Sequence, residues 1–159
     1  MSVPTEPDYI VVQAKDGTTF VDLCGVETAG VNQTVNASDR FRRDCARPAA
    51  IPERTVRVNS RQWDLTAGGV INMDQFDLYT SALGARVGYR LLYGRYDDGL
   101  AEGGERTGTI FGYREGRAVM TAANETLGGE EATAEFTFAG EGVLTWTVGA
   151  PDAASAPVT

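Results

Sequence analysis

Apolar and polar residues alternate with a period of two along most of this chain, which is the signature of strands buried on one face. Tyr9 to Ala14 and Thr19 to Leu23 read as two strands around the turn signal Lys15-Asp16-Gly17-Thr18, an opening β-hairpin. Cys24 to Val35 reads as a third strand kinked near Gly30. Thr55, Val56 and Val58 lead into a strand at Trp63, Leu65 and Ala67, which Gly68 and Gly69 are expected to interrupt. Val87, Tyr89, Leu91 and Tyr93 share one face of a further strand. Two more hairpins are expected, one pairing 109–113 with 118–123 around Arg114-Glu115-Gly116-Arg117, the other pairing 132–139 with 143–148 around Gly140-Glu141-Gly142. Ala134, Phe136 and Phe138 fall on one face, as do Leu144, Trp146 and Val148, and threonines dominate the opposite one.

Helical spacing occurs once, over Met73 to Leu83. Asn72 is placed to cap the first free amides, with Gln75 as its capping-box partner and Ile71 and Phe76 as a hydrophobic staple. Asp74 and Asp77 complement the positive end of the dipole, and Gly84 supplies a left-handed stop. A helix this short is unstable alone in water. It must dock, and Phe76, Tyr79 and Leu83 form the stripe expected to do so, each burial contributing roughly 1.5 to 3 kcal/mol. The pattern predicts a mainly β fold, a sandwich or rolled barrel of antiparallel strands with one flanking helix over about residues 73–83.

A chain of 159 residues with 19 glycines suits one β-domain over residues 9–149. Pro4 and Pro7 make residues 1–8 an expected extended arm, and the small polar residues 150–159 an expected mobile tail. The opening MSVPTEPD has no basic region before an apolar run, and no segment approaches membrane-spanning length, so neither export nor insertion is expected. On that reading Cys24 and Cys45 are reduced thiols, and the sequons at Asn32, Asn36 and Asn124 are coincidental.

Two stretches lack a clean period. Residues 36–53 hold two prolines and four arginines and exceed an ordinary connection, which marks a functional or disordered loop; 94–108 is a second long polar loop. The net charge is −8, yet Arg40 to Arg61 contains seven of the fourteen basic residues against Asp44 and Glu53. A local +5 on a body of −13 could bind nucleic acid or dock on another copy of the same chain. The second is favoured, because Phe41 is the only aromatic among these cations and nucleic-acid loops usually interleave several.

Catalytic chemistry finds little support. The chain has no histidine, and its two cysteines cannot complete a zinc site. Asp97, Asp98, Glu102 and Glu105 cluster without the spacing of an EF-hand, and 22 acidic residues make any pair of carboxylates uninformative. No nucleophile elbow, phosphate loop or dinucleotide fingerprint is present. No enzyme activity and no cofactor are expected. Binding other chains is the function such a domain suits. A lone carbohydrate- or nucleic-acid-binding β-module is the alternative, resting on the arginines and on Tyr89, Tyr93, Tyr96 and Tyr113. Of these, Tyr89 and Tyr93 fall in phase with Val87 and Leu91, the pattern of a core.

The order of motifs resembles a known family, the major tail tube proteins of long-tailed bacteriophages with non-contractile, siphovirus-type tails and of related gene transfer agents. The resemblance runs from about Val21 to Val148 through VDLCGVETAGVNQTVNASDRFRRDCARP, RQWDLTAGGVINMDQF, ALGARVGYRLLY and the closing EEATAEFTFAGEGVLTWT. It implies a structural virion protein whose hexameric rings stack into a tube around a channel for double-stranded DNA, assembled in the host bacterial cytoplasm. Implied partners are other copies of the chain, tail terminator and tail-tip or baseplate proteins, a tape measure protein inside the tube, and DNA passing non-specifically; no membrane is implied. Residues 36–53 would be the inter-ring stacking loop, with Arg40, Phe41, Arg42, Arg43, Asp44 and Arg47 at its centre. Glu27, Glu130, Glu131 and Glu135 would line an acidic channel along which DNA slides without sticking. Phe76, Tyr79 and Leu83 would hold the helix to the subunit core. The added immunoglobulin-like carboxy-terminal domain that some members carry is not expected, since little follows LTWT.

Overall fold

The computed structural model describes residues 6–97 and 108–151. Seven antiparallel strands form one sheet: β1 Tyr9–Asp16, β2 Thr19–Asp22, β3 Val26–Arg42, β4 Glu53–Val70, β5 Arg86–Tyr96, β6 Gly108–Thr126 and β7 Thr133–Val148. Their spatial order is β2-β1-β5-β6-β7-β4-β3. The sheet rolls until β1 comes back against β3, so the two ends of the strand order enclose one apolar core. Val12 and Ala14 from β1 meet Leu65 and Ala67 from β4, Tyr89 and Leu91 from β5, Met120 from β6 and Phe136 and Phe138 from β7. The mainly antiparallel β fold with one short helix is the one the alternation predicts.

The opening hairpin forms as expected, with Gly17 at φ 63° in its turn and Asp16 paired to Thr19. The other expected hairpins do not form. β6 and β7 each run straight through the glycines read as turns, and they pair with one another from Gly112↔Val148 to Thr126↔Thr133. The reason is Trp63. Its buried indole lies against Gly116 and Gly140, where a Cβ would collide with the ring, and its Nε1 donates to the Gly142 carbonyl at 3.2 Å. Both glycines make room for the ring. Gly142, at φ 74°, takes part in a local irregularity of the β6–β7 register between Glu115 and Arg117, which bends the strand without reversing it.

Gly68 and Gly69 likewise do not interrupt β4. A side chain at Gly69 would strike the carbonyl of Gly25, so the glycine permits close approach of the β2–β3 connection. Nor does β3 kink at Gly30; its irregularities fall at Val26/Thr28 and Asn36/Ala37.

The helix opens as a 3₁₀ turn, Met73–Gln75, and continues as α1, Phe76–Ala82. Asn72 Oδ1 accepts from the Asp74 amide at 3.1 Å, and Gly84 follows at φ 77°. Gln75 does not complete a capping box. Its Oε1 accepts from the Cys24 amide at 3.0 Å and its Nε2 donates to the Asp22 carbonyl at 2.5 Å, since a tertiary partner lies within reach of both ends of the amide. The helix is thereby tied to the β2–β3 connection.

Candidate assembly interface

The loop expected over residues 36–53 is strand at its two ends. β3 and β4 stay paired from Asn36↔Ser60 out to Arg42↔Glu53, leaving only residues 43–52 as a connection. β4 engages β7 only from Asp64 to Val70, so beyond it the two strands stand as a ribbon with no other strand of the described residues beside them. Both faces of the ribbon are exposed, which removes the alternation that marks a strand in sequence. Val35, Val56 and Val58 are about half exposed, and at the tip Phe41 is 69% and Ile51 90% exposed.

Arg40 and Arg42 lie on β3, Arg54, Arg57 and Arg61 on β4, and Arg43 and Arg47 in the tip. Asp44 organises the tip: its carboxylate accepts from the Ala46 amide at 2.9 Å and pairs with Arg47 at 3.4 Å. Arg54 approaches Asp39 at 3.8 Å across the ribbon. These pairs are open to water and contribute little to stability. In this register Arg40, Arg42 and Arg57 fall on one face of the ribbon, and Phe41, Val56 and Val58 fall on the other with Arg54.

At the other end of the sheet α1 leaves a groove of about 310 Å³. Ile71, Phe76, Tyr79 and Leu83 line one side, Ala123 and Phe136 the other. Tyr79 anchors the helix, its ring stacked on Phe136 at 4.9 Å and its hydroxyl donating to the Cys24 carbonyl at 3.2 Å. Burial first, and then the nearby Cys24, raise the Tyr79 pKa. Phe76 is half-buried, while Leu83 is 53% exposed and does not join the core. Its place is taken by Ala82, because the helix ends at Ala82 and Leu83 turns to extended backbone at ψ 118°. Leu78, which the helical stripe omitted, packs against the core instead.

Of the acidic residues considered for a channel, Glu135 lies on the outer face of β7, on a shallow surface shared with Thr28, Thr66 and Thr137. Glu27 is exposed at the β3 bulge, and Glu130 and Glu131 precede β7 in its connection to β6. Thr28, Gly68 and Glu135 lie abreast across β3, β4 and β7, so Glu27 and Glu135 share one part of the sheet, with Glu130 and Glu131 beyond its end. The tyrosines do not form a binding platform: Tyr89 is buried, Tyr93 packs on the core, Tyr96 lies beside Tyr9, and Tyr113 faces the Arg90 guanidinium.

Asp8, within the expected arm, is fixed to β5: its amide donates to the Gly94 carbonyl and its carboxylate accepts from the Tyr96 amide, both at 2.9 Å. Residues 1–5, 98–107 and 152–159, and with them most of the arm, the second loop, the tail and Asp98, Glu102 and Glu105, lie outside the described residues. Cys24 and Cys45 are exposed and unpaired. Among the described residues no group of acidic residues and cysteines is placed to hold a metal, and no helix is long and apolar enough to cross a membrane.

No protein-family model matches the chain, and no curated protein matches it by sequence. Solved structures do match. A chain in the virion of a native gene transfer agent particle superposes with a TM-score of 0.63 at 14% identity, over 91% of this chain and 99% of that one. A chain in the tail of an empty gene transfer agent particle, refined with C6 symmetry, gives 0.60 at 13%, over 87% and 95%. One in the six-fold symmetrised baseplate of the anti-feeding prophage gives 0.61 at 12%, over 92% and 97%. At such identities the likeness establishes architecture: this chain has the fold of subunits found in gene transfer agent tails and in the anti-feeding prophage baseplate.

Proposed function

We propose that this chain is a structural tail tube subunit that assembles with copies of itself into hexameric rings, and that the rings stack around a channel for double-stranded DNA. The observation that carries the reading is the β3–β4 ribbon, a long arginine-rich projection with exposed apolar side chains and, among the described residues, no strand of its own subunit beside its outer part. The fold it shares with subunits of a C6 tail supports the same reading. Arg40, Phe41, Arg42, Arg43, Asp44 and Arg47 make the contact between rings. Glu27 and Glu135, with Glu130 and Glu131 at the end of the sheet, face the channel and keep DNA from adhering. Residues 1–8 and 150–159 reach neighbouring subunits. The tube sits in the virion tail after assembly in the host cytoplasm, encloses a tape measure protein and is bounded by terminator and tail-tip or baseplate proteins. Its role is architectural, without catalysis. A monomeric carbohydrate- or nucleic-acid-binding module, the alternative, would leave the apolar ribbon tip without purpose.

Negative-stain imaging of the purified protein at rising concentration tests the proposal, with rings or hollow tubes expected. Arg42→Glu with Arg43→Glu should raise the concentration needed for stacking by roughly tenfold while the circular dichroism spectrum stays unchanged. A protein that remains monomeric at high concentration overturns the tube reading, and normal stacking by the double variant overturns the role of the loop.

A further inference from the structure

We infer that the groove between α1 and the β6–β7 end of the sheet is the receptor for the ribbon tip of a second copy of this chain. The inference rests on the self-assembly reading and assigns the partner surface that reading leaves open. Two features of one molecule are complementary in shape class and in charge. The tip presents Phe41 and Ile51 to water, and the groove presents an apolar concavity whose surroundings add Met73 at 72%, Leu83 at 53% and Leu127 at 72% exposure. Exposed apolar surface of this extent, close to a concavity, is the mark of a docking site.

Charge chooses the occupant. The segments that build the groove and its edges, residues 70–83 and 120–136, contain no lysine or arginine. Asp74, Asp77, Glu125, Glu130 and Glu131 stand there, all exposed, and Glu125 lines the groove itself. The ribbon and its tip carry the seven arginines from Arg40 to Arg61. An aromatic or aliphatic anchor seated in a pocket, ringed by opposite charges, is the usual anatomy of a protein interface. Because knob and socket are different surfaces of the same chain, the contact is head-to-tail, and such a contact closes into a ring or repeats along an axis according to the rotation between copies. Joining copies in successive rings, as the stacking reading has it, this one repeats along the axis. Leu83, displaced from the core, gains a role as part of the socket.

The native Cys45 provides the test, since it lies in the tip and is exposed. One full-length variant carries Cys24→Ser and retains Cys45; a second carries Cys24→Ser, Cys45→Ser and Thr80→Cys, which places its only thiol at the groove. The two are mixed, assembled and treated with a short bismaleimide. The expected result is a covalent dimer of one chain of each kind, formed in the mixture and absent from either variant alone. Phe41→Ala should also raise the concentration needed for assembly by about ten- to a hundredfold, the loss expected for one buried aromatic. Assemblies that form without the mixed dimer overturn the groove assignment and leave the tube reading intact. A wild-type protein that never assembles overturns both.

Discussion

Tyr89 feels burial more strongly than any other tyrosine described here: its hydroxyl has no hydrogen-bond partner among the described residues, and desolvation pushes its pKa from 10.0 up to about 12. The folded state favours the neutral phenol, so the unfolded chain loses its proton first as pH rises. The stability this shift contributes is therefore fully present below pH 10 and is lost between 10 and about 12. Urea unfolding at pH 8 and pH 11 should show this loss, and Tyr89→Phe should lessen it while changing stability at pH 8 by no more than about 1 kcal/mol. Some loss will persist, because burial also raises the pKa of Tyr79 and Tyr9. An alkaline limb identical in both proteins would show that Tyr89 is not its source. Arg90, next in β5, faces the other way, its guanidinium 3.8 Å from the Phe20 ring centre and 3.5 Å from Glu115. Tyr89 belongs to the principal core, whereas Arg90 is buried on the opposite face of the strand beside Phe20.

The elements differ in how plainly the sequence declares them. The β1–β2 hairpin, the helix start at Asn72 and the buried face of β5 are legible because each rests on local chemistry: a left-handed glycine, a side-chain cap, a period of two. Gly116 and Gly140 mislead. Glycine is selected both for turns and for close approach, and only the distant Trp63 shows that here it is the second. The ribbon hides for the opposite reason, since a strand exposed on both faces has no hydrophobic period. The candidate site divides the same way: the arginines stand out in sequence, but the groove is built from residues fifty positions apart and could not be anticipated. Ribbon and body are energetically separable, because no residue from Ala37 to Gln62 belongs to the core. Joining Ser38 to Arg57 through Asn-Gly, a favoured two-residue hairpin connection, should leave the urea midpoint close to that of the full chain and abolish tube formation. Loss of the folded domain in this variant would refute the separability.

For the whole molecule, the distribution of charge matters more than its total. A net −8 ought to make copies repel, yet half of the basic residues are gathered at one projection and the acid-rimmed groove lies elsewhere on the body. Repulsion acts broadly and attraction acts at the contact. Subunit association should accordingly depend on ionic strength: sedimentation velocity from about 0.05 to about 1 M salt, over which the screening length falls several-fold toward ~3 Å, should show assemblies receding if the arginine contacts dominate. Assemblies that strengthen steadily with salt would instead assign the contact to apolar burial alone.

The ribbon also bears on the life of the subunit before it meets a partner. Among the described residues its outer part has two unpaired edges over consecutive residues, a backbone template on which any extended chain could add. A newly made protein carrying such a template risks zipping into disordered β-aggregates. Five arginines on its two strands act as gatekeepers: an incoming identical strand would bring like charges against like. The side chains that recruit an acidic socket thus also veto the wrong pairing, and neutralising them would trade an orderly polymer for an amorphous one.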